Sequence, residues 1–272
     1  YKFVSDALWD ESDASENLSV GADRMAIGAK YMDHGTLYVA RFDEEGKGEW
    51  LPLTEGSIDL NGNRLGDTIG NQANIIRNTL GAADAMGATP MDRPEWTAVD
   101  YATGLVYLAL TNNDNRAPDD VNAANPRPNN EFGHIIRWKE GAVVTEFEWE
   151  FFVFGSSAEA EASSINMSGL TDENEFSSAD GICFDQRGIL WLQTDATLNN
   201  DIDVDNQILA VIPDGLGQSV DGSPVLNVSN QDHLKRFAVV PKGAESTGIT
   251  FTPDHRHMSV SYTHLRAHET TD

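Results

Sequence analysis

Residues 95–111 read EWTAVDYATGLVYLALT: a short apolar strand, a polar turn and a second apolar strand. The same order recurs in DGICFDQRGILWLQT (residues 180–194) and in TGITFTPDHRHMSVSY (residues 247–262). Short apolar strands separated by turns rich in Asp, Gly or Pro predict three β-hairpins. Each has the form expected of the first two strands of a β-propeller blade, so the repeats favour a propeller.

The rest of the chain fits the same fold class. Further short strands are predicted at GTLYVARF, HIIRW, VVTEFEWEFFVF, QILAVIP and RFAVV, and one helix is predicted over residues 70–87. The hairpins start further apart than one standard blade of about 40–50 residues, so other blades or insertions fill the intervals. We therefore predict an all-β fold, an incomplete β-propeller of several blades with long loop insertions and a short helix. An immunoglobulin-like sandwich is the alternative.

Three polar loops, residues 112–130, 155–180 and 198–207, are long for a compact domain. Because loops of this length are commonly functional or disordered, and several surround the hairpins, we expect a function for the first. In the third loop, Asp201, Asp203 and Asp205 alternate as in a calcium loop. They lack the Gly and the distal Glu of an EF-hand, so we expect a solvated loop there.

The composition argues against some classes of function. With 18 Lys and Arg against 44 Asp and Glu, the formal charge is −26, which argues against nucleic acid as a partner. No stretch approaches the roughly 18 apolar residues of a membrane helix, so we expect no membrane insertion. The acidity indicates either a strongly solvated surface or calcium-binding carboxylates. The single cysteine, Cys183, lies in an apolar run and is predicted to be a buried structural thiol.

The residues that stand just before the first strand of each hairpin carry the main hypothesis. They are Glu95, Asp180 and Thr247. The innermost strands of a propeller line its central channel, so equivalent positions from different blades converge around one axis. Two carboxylates and a hydroxyl would meet there, and oxygen donors suit a hard cation such as Ca²⁺. The alternative is that acids before strands are simply solvated.

Several motifs carry a family resemblance. RPEWTAVD, LALTNN, NPRPNNEFGHIIRW, DGICFDQRGILWLQTD and GAESTGITFTPD occur in this order along the chain. The sequence resembles the C-terminal part of the PhoX-type alkaline phosphatases, exported bacterial propeller enzymes that hydrolyse phosphate monoesters with calcium and iron. The resemblance implies Ca²⁺ and Fe³⁺ as cofactors, small-molecule phosphate monoesters as substrates, a periplasmic or secreted location, and a monomer.

The resemblance also implies roles for individual residues. Glu95 and Asp180 match metal-binding positions, and Glu245, near the mouth of the third hairpin, is a further candidate for calcium. Arg93 matches an arginine that contacts the substrate phosphate, a role that suits a bidentate guanidinium. The alternative for Arg93 is a surface salt bridge.

Three further residues are weaker candidates for the substrate site. Asn112 and Asn113 are assigned to it, with carbonyl oxygens available to calcium, or else they close the strand as turn residues. His134 bonds the phosphate or a metal ligand, or else it is a structural histidine with satisfied hydrogen bonds.

The chain departs from the family pattern in several places. Gly181 stands where the family often has Asn, and the remaining metal ligands, including a cysteine and further glutamates, are expected upstream of Tyr1. The last residues, SYTHLRAHETTD, resemble translated cloning adapter. We therefore predict a partial propeller domain over residues 1–260 and a non-native tail over residues 261–272.

The function predicted for the intact protein is metal-dependent alkaline phosphatase activity, with this portion inactive alone. One alternative is a calcium-dependent propeller lactonase. The other is a calcium-stabilised propeller without enzymatic activity that binds a partner.

Overall fold

The computed structural model describes residues 1–13, 23–196, 202 and 205–263. The chain divides into two compact units. The first consists of the described residues of 1–42, 48–89 and 143–146, and the second of those of 43–47, 90–142 and 147 onward. The second unit contains all of the predicted site residues.

The first unit has an antiparallel sheet and several helices. The strands are β1 (Lys2–Ser5), β2 (Gly35–Phe42) and β3 (Lys47–Pro52), with β2 paired to both others. The helices with both ends in the described residues are α1 (Arg24–Met32), α2 (Leu65–Thr68), α3 (Gln72–Arg77) and α4 (Thr79–Met86). Their shared core includes Val39, Leu53, Leu65, Ile75 and Met86.

The predicted helix over residues 70–87 is present as α3 and α4, which meet at Asn78. The N-terminus of α3 is capped by Asn71, whose side chain accepts from the Asn74 N–H, as Asn does at helix starts. The sequence does not predict α1. None of its residues is buried, so this helix does not bury an apolar face, the feature by which a surface helix is recognised in a sequence.

The second unit contains two four-stranded antiparallel groups and a final hairpin. The first group is β4 (Pro94–Asp100), β5 (Leu105–Leu110), β6 (His134–Glu140) and β7 (Glu146–Phe154). The second is β8 (Ala179–Phe184), β9 (Leu190–Thr194), β10 (Gln207–Val211) and β11 (Leu234–Val239). A 3₁₀ turn (Gln231–His233) precedes β11, and β12 (Ser246–Phe251) pairs with β13 (Met258–Tyr262). Each group pairs consecutive strands, as a propeller blade does.

The three predicted hairpins are confirmed as β4–β5, β8–β9 and β12–β13. The first strands of the hairpins are neighbours, since β8 packs against both β4 and β12. One apolar core joins the two four-stranded groups, and it includes Tyr107, Ile135, Phe152, Phe176, Leu192 and Leu209. This packing brings the starts of β4, β8 and β12 together.

The boundary predicted after residue 260 stays a prediction. Strand β13 itself continues to Tyr262, which pairs with Ser246. Residues 264–272 lie outside the described residues.

Candidate metal centre

Each of the three hairpins has a β-bulge on its first strand, at the open end. The register shifts lie between Pro94 and Thr97, between Ala179 and Ile182, and between Ser246 and Gly248. The bulged residues are Glu95–Trp96, Asp180–Gly181 and Thr247. A bulge bends the strand and redirects a side chain. The three positions singled out from the sequence are therefore the positions where the backbone departs from regular pairing.

The hairpins close with the same hydrogen bond. The N–H that follows each second strand donates to the carbonyl that precedes each first strand: Thr111 to Arg93 at 3.2 Å, Asp195 to Ser178 at 3.0 Å and Thr263 to Glu245 at 3.0 Å. Arg93, Ser178 and Glu245 are thus equivalent. Arg93 and Ser178 have φ of +46° and +54°, a conformation that is costly for residues other than glycine and that concentrates at functional sites.

Three carboxylates converge at these open ends. Asp180, Asp195 and Glu245 each place an oxygen within 4.8 Å of the others, and all three side chains are half-buried. Asp180 is the second residue of β8, so it lies inside the strand and not before it as the sequence predicts. Asp195 follows β9, and Glu245 precedes β12. In the described part of the chain, this group is made of carboxylates alone, the oxygen donors that Ca²⁺ prefers.

Glu95 belongs to the same electrostatic cluster, although it is more exposed. Partial burial, and then the charge of Asp180, raise the pKa of Glu95 above its ordinary value, while Arg93 opposes them. The structure therefore brings the predicted residues Glu95, Asp180 and Glu245 within electrostatic reach of one another. We define the acidic cluster as Glu95, Asp180, Asp195 and Glu245.

The other three pKa values are raised for the same physical reasons. Burial raises the pKa of Asp180, and Arg93 opposes the shift. Burial and the charge of Asp180 raise the pKa of Asp195. Burial, followed by the charges of Asp195, Asp180 and Glu95, raises the pKa of Glu245. Crowded carboxylates disfavour one another's ionised forms, so the acidic cluster is chemically suited to a multivalent cation.

Asp195 was not singled out from the sequence. It stands one residue beyond the repeat that ends at Thr194, where an acid looks like an ordinary turn residue. Asp195 could have been found from the geometry of a hairpin. In an antiparallel hairpin, the residue that follows the second strand lies beside the start of the first strand. An acid at both points, as at Asp180 and Asp195, predicts a pair.

A buried asparagine holds in place the loops that carry two members of the acidic cluster. The side chain of Asn206 donates to the carbonyls of Ala196 at 3.1 Å and Ala244 at 3.0 Å, and accepts from the Ala196 N–H at 2.6 Å. These alanines adjoin Asp195 and Glu245, so Asn206 ties together the two loops that carry these carboxylates. The sequence offers no pattern that identifies this role.

Arg93 lies at the exposed edge of the acidic cluster. Its Nη1 donates to Asn112 Oδ1 at 2.7 Å, and the Nδ2 of Asn112 donates to Ser178 Oγ at 3.0 Å. The structure thus places Asn112 against Arg93, between the first two hairpins.

Asn113 and His134 form their hydrogen bonds with residues outside the acidic cluster. Asn113 Nδ2 donates to the fully buried Asp92 at 3.0 Å. His134 is also fully buried, with Nε2 bonded to the Ala124 carbonyl at 2.8 Å and Nδ1 to Asn130 Nδ2 at 3.2 Å. Burial lowers the pKa of His134 to about 4. Both ring nitrogens are therefore occupied, which favours the structural alternative for this histidine.

The remaining candidates have separate outcomes. Cys183 is half-buried, so the prediction of a buried thiol is wrong in degree. Partial burial, and then the charge of Asp185, raise the pKa of the thiol, which fits an unreactive structural residue. Asp201 and Asp203 lie outside the described residues, so the solvated loop around Asp205 stays a prediction.

Comparison with known proteins identifies the family of this chain. A family model described as "Alkaline phosphatase PhoX" matches residues 1–265. The chain belongs to the PhoX alkaline phosphatase family. A solved structure of Pseudomonas fluorescens PhoX in complex with vanadate, a transition state analogue, is 33% identical, with a TM-score of 0.76. The match covers 96% of this chain and 43% of that one, so this chain spans less than half of the PhoX structure. No curated protein sequence matches the chain.

Membership of the PhoX family and the paired strands confirm the prediction of an all-β, propeller-type fold. Among the described residues, no helix has the length and apolar character needed to cross a membrane.

Gly181 lies directly beside the side chain of Gln193. A Cβ at this position would lie 2.8 Å from the end of the Gln193 side chain. Gln193 is buried, and its amide bonds Ser246 Oγ at 2.7 Å. Gly181 therefore leaves room for a side chain that links β9 to β12.

Proposed function

We propose that this protein is a metal-dependent alkaline phosphatase that hydrolyses small-molecule phosphate monoesters. The observation that carries the proposal is the convergence of the acidic cluster beside Arg93. A dense group of carboxylates suits cations, and an adjacent guanidinium suits phosphate. Membership of the PhoX family supports the same reaction.

The proposed metal ligands are Glu95, Asp180, Asp195 and Glu245. Ca²⁺ fits this donor set because the cluster offers only carboxylate oxygens, three of the four side chains being half-buried. Fe³⁺ is proposed from the family resemblance, and hard carboxylate oxygens are compatible with it. Bound cations would polarise the phosphoryl oxygens and orient the attacking oxygen. Glu95 and Asp180 hold cations under this proposal and transfer no proton.

Arg93 is the proposed phosphate-binding residue. Its hydrogen bond to Asn112 uses one of the five N–H donors of the guanidinium. The other donors are available to the phosphoryl oxygens as they gain negative charge in the transition state. Asn112 therefore belongs to the substrate side of the site through Arg93, whereas the contacts of Asn113 and His134 support structural roles.

We also propose a periplasmic or secreted monomer, as the resemblance to exported phosphatases implies. In that setting the substrates would be phosphate esters that meet the protein outside the cytoplasm. The net charge of −26 argues against nucleic acid as a competing partner.

The decisive test is Glu95→Gln in the protein that carries this chain. The substitution keeps the shape of the side chain but removes a cation-binding charge, so p-nitrophenyl phosphate turnover should fall at least about 100-fold. The matched control is Glu159→Gln, the same change at an exposed site, which should retain wild-type turnover. Thermal unfolding of both variants checks the fold.

Unchanged turnover in Glu95→Gln with normal metal content would overturn this ligand assignment. A lactone substrate tested alongside separates the rival enzyme class. Lactone hydrolysis without phosphatase activity would favour a calcium-dependent lactonase.

A further inference from the structure

We infer that Asn112 is a positioning residue for Arg93, supported from behind by Ser178. This inference rests on the proposed function, because it concerns how the phosphate-binding guanidinium is oriented. It differs from the assignment of Asn112 as a ligand of calcium or substrate. The inference is based on the hydrogen bonds that connect four side chains, those of Arg93, Asn112, Ser178 and Ser177.

The four side chains form a hydrogen-bonded relay. Arg93 Nη1 donates to Asn112 Oδ1 at 2.7 Å, and Asn112 Nδ2 donates to Ser178 Oγ at 3.0 Å. Ser178 Oγ bonds Ser177 Oγ at 3.1 Å, and Ser177 Oγ donates to the Glu131 carbonyl at 3.1 Å. The relay therefore ends on a backbone acceptor.

The donor pattern of the relay fixes the amide of Asn112. Ser177 gives its hydroxyl proton to the Glu131 carbonyl, so Ser178 must donate to Ser177. The oxygen of Ser178 then accepts from Asn112 Nδ2. Since arginine is a donor only, the other end of the amide must present its oxygen to Arg93. A flipped amide would break the bonds at both ends.

Burial increases steadily along the relay. Arg93 is exposed, Asn112 is half-buried, and Ser178 and Ser177 are 0% and 1% exposed. A long exposed arginine normally samples many rotamers, and ordering it costs conformational entropy. A bond to a fixed amide removes part of that freedom before any ligand arrives. Preorganisation of this kind favours binding.

The backbone is also constrained at two members of the relay, Arg93 and Ser178. Arg93 and Ser178 occupy equivalent positions before β4 and β8, and both have left-handed φ values. Asn112 follows β5, the partner of β4, and reaches across to Ser178. Asn112 is thus a direct side-chain link between two hairpins at their open ends. The position of the guanidinium follows from the packing of β4 against β8.

The same geometry argues against Asn112 Oδ1 as a cation ligand. This oxygen already accepts a charge-assisted hydrogen bond from Arg93. A metal ion on the same atom would place two positive charges on one neutral amide oxygen. The carboxylates of the acidic cluster are better ligands.

A double-mutant cycle tests the inference. Arg93→Ala, Asn112→Ala and the double variant are compared in the protein that carries this chain, with inorganic phosphate as a competitive inhibitor of p-nitrophenyl phosphate hydrolysis. Asn112→Ala should weaken phosphate inhibition about tenfold when Arg93 is present and less than about twofold in the Arg93→Ala background. Bound calcium should remain unchanged.

Ser178→Gly provides a second variant that avoids a folding defect. It removes the hydroxyl and relieves the left-handed strain at φ +54°, so it should fold while weakening phosphate inhibition in the same direction. An equal loss from Asn112→Ala in both backgrounds would show direct phosphate contact and overturn the inference. Loss of bound calcium would show a ligand role and overturn it too.

A readout independent of activity separates this inference from the proposed function. In ¹⁵N spectra of this chain, restrained rotation should give Arg93 resolved Nη signals that average in Asn112→Ala. If the parent protein neither hydrolyses phosphate esters nor binds phosphate, the proposed function fails, and the spectra still decide the positioning role. Identical Arg93 spectra in parent and variant would refute it.

Discussion

Asp92 and Arg93 are adjacent in sequence but belong to two polar regions with opposite characters. Asp92 is fully buried and accepts from Arg116 Nε at 2.5 Å, Asn113 at 3.0 Å and Asn130 at 2.9 Å. Arg93 borders the acidic cluster, in which burial raises every pKa and neighbouring carboxylates add to the shift at Glu95, Asp195 and Glu245. The first region satisfies its polar groups within the chain, whereas the second holds like charges close together, and we propose that a cation completes it.

The contrast explains the order of residues before β4. Asp92 pairs with Asn113 and Arg93 pairs with Asn112, so neighbouring residues on one side bond neighbouring residues on the other. One pair anchors the hairpin in the interior and the other faces the acidic cluster. A buried polar group with complete hydrogen bonding indicates structure, whereas half-buried like charges indicate a binding site.

The largest expected effect comes from breaking the satisfied region. Asp92→Asn removes the carboxylate that neutralises Arg116, which is itself buried. An uncompensated buried charge should lower the free energy of unfolding by about 3–5 kcal/mol. Urea denaturation measures this change. Asp119→Asn, at an exposed position, is the control and should stay within about 0.5 kcal/mol. A similarly small effect at Asp92 would remove the contrast between the regions.

Calcium should stabilise the folded chain by binding the acidic cluster. A cation that binds only the folded chain stabilises it by about 2.7 kcal/mol at a concentration 100 times its dissociation constant. Chelation should therefore lower the melting temperature of the parent chain, and the Asp119→Asn control should respond equally. A melting temperature indifferent to chelator would mean that the acidic cluster binds no calcium.

A smaller effect of opposite sign is expected at Asp195. Its pKa is raised in the folded chain, so above that pKa the ionised carboxylate destabilises the fold. In chelator at pH 7, Asp195→Asn should raise the melting temperature by roughly 2–4 °C, which corresponds to about 1 kcal/mol in a domain of this size. With saturating calcium the gain should vanish or reverse, because the variant has lost a ligand.

The pH dependence of this gain in melting temperature shows whether it comes from charge. The gain from Asp195→Asn should disappear as pH falls through the raised pKa toward the ordinary value of 3.8, because the parent carboxyl then becomes neutral. Melting curves in chelator between pH 7 and pH 4 measure the difference. A gain independent of pH would attribute the effect to packing and not to charge.

Much of this architecture could be predicted from local sequence. The three hairpins and the convergence of Glu95 with Asp180 follow from a repeated pattern, because strand periodicity and turn chemistry are local properties. Asp195 and Asn206 could not be found in this way. Their roles depend on which chain ends meet after the hairpins close, and that is decided by packing between distant segments.

The loop over residues 112–130 illustrates the same limit. Its length predicts a function, yet several of its contacts are with the segment before β4: Arg116 bonds Asp92, and Asn122 and Asn125 both donate to the Pro90 carbonyl at 3.0 Å. Loop length alone does not separate binding from internal support. The partners of its polar side chains do so.

The close approach of Gly181 and Gln193 has a consequence for how the family diversifies. A relative with asparagine at the first position needs a smaller or withdrawn side chain at the second, since both cannot occupy the same space. The two sites should therefore change together among homologues. A lineage that acquires the amide beside Asp180 must move or replace the Gln193 side chain, which in this chain links β9 to β12.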